Sequence, residues 1–181
     1  MRHYCYTVIV LLSTVGCGMG PAPDYEVLGV PVFVSDDGLP SKAVFRAALT
    51  FWCDQWRDVA QLSKQEMDDL LVKLSHVTYI GEWVEQSQKG SWFIEGSWVV
   101  AARYYPGSRY IRSSIFTPED PRSAYGPSDW EEWLFHELTH HYHLIIYGLL
   151  DYDHDSEDWE DEWEVWERYK KTKETKEIKD E

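Results

Sequence analysis

Apolar residues recur along this chain with two different periods, and the switches between them delimit the elements. Phe45, Leu49, Trp52 and Trp56 repeat at three- and four-residue spacing, the signature of a helix with one buried face. Ser41 can cap that helix, which is expected over about 42–58. Ser63-x-x-Glu66 has the form of a capping box and opens a second helix, with Met67, Leu70, Leu71 and Leu74 on one face. Ahead of both, residues 27–34 are β-prone, and Pro31 predicts an edge strand because it has no N–H to give a ladder. Three later segments, 77–86, 92–105 and 109–117, are rich in Val, Ile, Trp, Tyr and Thr and read as strands. Pro106-Gly107 marks a hairpin turn between the last two. After a proline-containing loop at 118–127, Ser128-x-x-Glu131 opens a helix running to about Tyr147, where Gly148 can end it. An acidic loop over 149–153 leads to a last helix from about Asp155. The alternating Lys and acidic residues of 169–181 predict a charged tail, either a frayed helix or disordered. The order of elements predicts one α+β domain over 26–168, a short mixed or antiparallel sheet with helices.

The first residues do not fit that scheme. Arg2 and His3 precede an uncharged run over 7–15, after which small residues lead to Cys17. This is the layout of a secretory signal peptide over 1–16, with roughly half the apolar length that spans a bilayer. Leu12-Ser13-Thr14-Val15-Gly16-Cys17 resembles the lipobox of bacterial lipoproteins, with Thr14 where Leu is usual. The resemblance implies export to a bacterial envelope, lipidation of Cys17 and a tether over 17–25. If Cys5 leaves with the leader and Cys17 is acylated, only Cys53 remains, so the mature domain is expected to hold no disulfide. Cys53 falls in the apolar stripe of the first helix and reads as core.

Composition narrows the function. With 17 Lys+Arg against 32 Asp+Glu, the net charge is −15, which offers no basic face for phosphates and argues against nucleic acid as a partner. Forty-four per cent hydrophobic residues and ten Trp in 181 residues exclude disorder over most of the length.

The chemistry lies in the helix after the loop, which contains His136-Glu137-Leu138-Thr139-His140. Residues four apart on a helix sit about 40° apart around its axis, so both imidazoles can face one metal ion. Glu137, about 100° from His136, lies beside that ion and can take a proton from a water held there. Leu134, Leu138 and Ile145 form one apolar stripe of this helix. Trp133, His136, His140 and Tyr147 form another, so the helix is expected to be buried on two sides.

At this point the sequence resembles the zincin (HExxH) metallopeptidases over about residues 77–167. The resemblance implies a small zincin-like domain, Zn2+ held by His136 and His140, and Glu137 as general base and acid. The metzincin extension is excluded, because His143 and Ile146 stand where Gly and His belong. Two arrangements of the third ligand remain. In SprT-like metallopeptidases a His at the start of the next helix follows, which corresponds to His154, with Trp159 as the aromatic after it and Asp151 or Asp153 able to orient a ligand. In gluzincins the ligand is a Glu, for which Glu157, Glu160 and Glu162 are candidates. Trp159, Trp163, Trp166 and Tyr169 predict the buried stripe of the last helix, and Glu162 falls inside it. His143 can line the pocket or bond the acidic loop, His141 lies on the opposite face, and His76 has no assigned role. Tyr104, Tyr105, Tyr110, Tyr147 and Tyr152 are candidates to stabilise an oxyanion. By the same analogy 98–105 or 109–117 could pair with an extended peptide. The expected function is a lipid-anchored zinc metallopeptidase acting on a peptide or protein substrate. The alternative is a non-catalytic lipoprotein of the same fold with a binding or structural role, and a weaker option is a cation-binding acidic run over 151–167.

Overall fold

The computed structural model describes residues 21–34, 39–82, 84–86, 99–115, 130–150 and 154–180. The leader, Cys17, the 118–127 loop, Ser128, Asp151, Tyr152 and Asp153 lie outside them.

Strands β1 (Tyr25–Val27) and β2 (Val30–Phe33) form a hairpin that leads into helices α1 (Lys42–Val59) and α2 (Lys64–Val72). Strands β3 (His76–Ile80), β4 (Glu85–Gln86), β5 (Val99–Val100), β6 (Ala102–Tyr105) and β7 (Tyr110–Ser114) follow, then α3 (Trp130–Tyr147) and α4 (Asp158–Asp180). The two caps read from the sequence form. Ser41 Oγ accepts from Val44 N–H, and Ser63 and Glu66 close a reciprocal capping box, which satisfies donors that a helix start leaves open. Gly148, at φ +72°, ends α3, its N–H bonded to Leu144 O.

Five strands form one mixed sheet in the order β1-β2-β3-β7-β6, and the domain is α+β. β2, β3 and β7 run parallel; β1 and β6 lie antiparallel on the two edges. Burial alternates along β2 and β3, as expected of a sheet covered on one face. Val30, Val32, Val77, Tyr79 and Ile111 fill that face together with Phe45, Leu49, Trp52 and Trp56 of α1 and Leu134, Phe135 and Leu138 of α3. Trp52 and Trp56 stack with ring centroids 5.5 Å apart. Cys53 is buried and unpaired, and burial pushes its thiol up to about 12, which suits a core residue.

Several local expectations change. β2 is interior, paired on both sides; Pro31 is tolerated because pairing with β3 begins only at Val32. The 77–86 segment divides into β3 and β4, which belong to different sheets. The β6–β7 hairpin forms, but its left-handed residue is Arg109, at φ +52°, and not Gly107. Segment 109–117 supplies β7, which lies between β3 and β6, so it cannot be the strand that receives a peptide. Tyr147 is exposed because α3 has by then passed the sheet, although its hydroxyl meets that of Tyr142. On α4, Trp163 is 54% exposed while Val165 is fully buried. The buried face centres near Glu162, which leaves Trp163 about 100° around the axis. The charged end is helical to Asp180. Tyr169, the first residue of the predicted tail and the last of the predicted buried stripe, is a core residue as the stripe requires, its ring 5.0 Å from Phe51 and 5.2 Å from Phe135. Among the described residues no helix is long and apolar enough to cross a membrane.

Candidate metal centre

Three elements bring the site together. α3 carries His136 and His140 one turn apart, with ring centroids separated by 4.9 Å. The chain leaves α3 at Gly148 and returns with His154, at φ +57°, four residues ahead of α4. One ring nitrogen each from His136, His140 and His154 falls within a mutual 4.8 Å. His140 Nε2 and His154 Nε2 are 3.3 Å apart. These three histidines could hold one metal ion. Trp159 forms the wall behind them, its ring 4.2 Å from that of His154, 4.8 Å from His140 and 5.0 Å from His136. Burial, and then the nearby charge of His154, lower His136 to about 4. At neutral pH its imidazole is therefore uncharged, the form that ligates.

Glu137 projects from the same helix into an open cleft of about 460 Å³. That cleft is lined by residues 102–106 of β6 and its turn, by His140 and by Leu150. Glu137 Oε2 accepts the backbone N–H of Tyr104 at 2.5 Å. Burial raises its carboxyl to about 8, against the opposing pull of the Tyr104 N–H and the Arg103 charge.

The other two histidines of α3 are consumed by protein partners. His141 Nε2–H donates to Leu70 O and its Nδ1 meets Tyr104 Oη, both at 2.9 Å. Burial lowers this imidazole to about 4. It is neutral, so Nδ1 accepts from the Tyr104 hydroxyl. His143, itself buried, donates from Nε2 to Asp158 Oδ2 at 2.9 Å, which ties α3 to the first turn of α4. His76 packs its ring between Phe33 and Tyr110.

Of the three carboxylates considered as third ligand, none joins the group. Glu157 and Glu160 are exposed on the outer side of α4. Glu162 is buried as its helical phase predicts, yet its charged neighbour is Glu132. Burial and that like charge raise it to about 7. Of the tyrosines considered for an oxyanion, the Tyr104 hydroxyl is turned to His141 and the Tyr147 hydroxyl to Tyr142. Tyr105 lines the cleft and stacks on Tyr110 with centroids 4.5 Å apart. Sequence reasoning did not find the bonds that Tyr104 makes to Glu137 and His141. The available signal was the four-residue interval between Glu137 and His141, which puts them on one line of the helix.

No family model matches this chain, and no curated protein and no solved structure matches it.

Proposed function

We propose that this chain is a zinc-dependent metallopeptidase, exported and lipid-anchored through Cys17. The observation that carries this reading is the convergence of His154 on the His136–His140 pair, with Glu137 facing the same cleft as His140. Tetrahedral zinc with Zn–N distances of about 2.0–2.1 Å separates its ligand nitrogens by about 3.3–3.4 Å. The 3.3 Å between His140 Nε2 and His154 Nε2 fits that requirement. Three imidazoles form a donor set typical of catalytic zinc.

When bound, the ion lowers the pKa of water at its open position, polarises a carbonyl and favours the carboxylate form of Glu137. The chain's own residues then do the rest. Glu137 takes the proton from the attacking water and returns it to the leaving amine. Its bond to the Tyr104 N–H holds the carboxylate at the wall of the cleft. β6 is a sheet edge, so its outward backbone groups other than the Tyr104 N–H can pair with an extended peptide, and Tyr105, Pro106 and Leu150 offer apolar contact beside it. Trp159 packs its ring against the imidazoles on the other side.

Cleavage of a peptide library by the wild-type chain and by Glu137→Gln, both loaded with zinc, tests the reading. The expected outcome is turnover by the wild type and none by the variant, with zinc bound to the same stoichiometry in both. Equal cleavage by the two, or none by either, contradicts it.

A further inference from the structure

α3 carries two pairs of residues at the same four-residue interval, offset by one position. His136 and His140 face the metal centre. Glu137 and His141 both face one residue of the neighbouring strand, Tyr104. Glu137 accepts its backbone N–H at 2.5 Å and His141 accepts its hydroxyl at 2.9 Å. His141 is fixed in turn, because its Nε2–H donates to Leu70 O, at the end of α2. Tyr104 is paired with Ile111 across the β6–β7 ladder. Its N–H nevertheless points away from β7 to Glu137, so this bond lies on the free edge of the sheet.

We propose that Tyr104 and His141 are positioning residues, a side-chain clamp that sets the height of the β6 edge against Glu137 and so against the three histidines. This rests on the reading of Glu137 as the proton carrier and of β6 as the receiving edge. An edge strand is held by hydrogen bonds on one side only and can slide or twist. Here the same helix that presents the metal ligands grips the edge at two points of one residue. The backbone bond places the carboxylate, and the hydroxyl bond keeps Tyr104 from rotating out of the bond to Glu137. The chain Leu70–His141–Tyr104–Glu137 thus links α2, α3 and β6 through atoms whose hydrogen-bonding roles are all determined. Leu70 O can only accept, which leaves His141 Nδ1 to accept from the hydroxyl.

The test is backbone amide hydrogen exchange on the full chain with and without zinc, comparing wild type with Tyr104→Phe. This substitution keeps the ring and removes one oxygen. The Tyr104 amide, although on a sheet edge, is expected to be protected in the wild type. In Tyr104→Phe its protection falls about tenfold or more, while the amides of Leu49 and Ile111 are unchanged and zinc affinity stays within about threefold. Under the peptidase reading kcat falls about tenfold to a hundredfold, the size expected when a reacting group is displaced by about 1 Å. His141→Ala should repeat the selective loss at the Tyr104 amide. A Tyr104 amide as protected in Tyr104→Phe as in wild type overturns the proposal. So does loss of protection throughout the fold, since the hydroxyl would then serve the core and not the edge. Exchange is read without turnover, so a wild type that cleaves nothing would end the peptidase reading and still leave the clamp to be judged.

Discussion

His136 and His140, and the other two histidines of α3, His141 and His143, share a helix and a residue type, and all four are neighbours in sequence. What separates them is where their ring nitrogens go. Three of the four nitrogens of His141 and His143 end on a carbonyl, a tyrosine hydroxyl and an aspartate of the protein itself. Nitrogens of His136 and His140 are aimed at a third imidazole, His154, from a different element. Ring nitrogens gathered around one point suit a cation, whereas three of the four nitrogens of the second set close hydrogen bonds to the protein, each of which would cost about 1–3 kcal/mol if left open. The comparison separates a histidine that could ligate from one that braces, by the partners of its nitrogens.

The comparison can be broken most severely at the converging set. His140→Ala is expected to lower zinc affinity at least about a thousandfold, beyond the 10–100-fold that loss of an outer partner typically costs, as read by calorimetry. An affinity unchanged within threefold would remove the distinction. Next in size is a test on the buried carboxyl that does not converge. Glu162 has a raised pKa, so its protonated form is the one the fold accommodates. The stability it contributes is complete below its ordinary value of about 4.5 and is lost as pH rises through about 7. Glu162→Gln should therefore stabilise the zinc-free chain by about 3 kcal/mol at pH 8 and by little at pH 4, measured by urea unfolding at both pH values. Its zinc affinity should match the wild type; a large loss would restore Glu162 as a ligand. The smallest effect belongs to the bracing set. Asp158→Ala frees His143 and loosens the first turn of α4 behind Trp159, which should weaken zinc binding by about threefold without changing its stoichiometry.

How far the sequence carried this account differs between elements. α1 and α2 were legible to within a residue or two because their caps, Ser41 and Ser63-x-x-Glu66, and their apolar stripes are local signals. The convergence of His136 and His140 was legible for the same reason, since a four-residue interval on one helix fixes its own geometry. His154 required a guess about how the chain turns after Gly148, and helical phase alone had left Glu162 as a rival. Phase predicted correctly that Glu162 is buried; it could not say that α4 would aim it at Glu132 and away from the histidines. Trp163 misled because hydrophobicity was taken for burial, while the packing of Val165 and Tyr169 against α1 and α3 turned that side of α4 outward. Sheet order was not legible from Pro31 or from strand propensity. Which strand is an edge depends on pairings between residues 34 to 45 positions apart, such as Val32 with Val77 and Val77 with Ile111. Tyr104 belongs with these. Nothing local marks it, and its two bonds exist only because α3 lies against β6.

X-ray absorption spectroscopy of the zinc-loaded chain, beside the same measurement on His154→Ala, tests the central claim most directly. The account predicts one equivalent of zinc with three imidazole nitrogens and a fourth, oxygen donor at about 2.0–2.1 Å, with one imidazole missing in the variant. An imidazole shell identical in both proteins, or no stoichiometric zinc in the wild type, would contradict it.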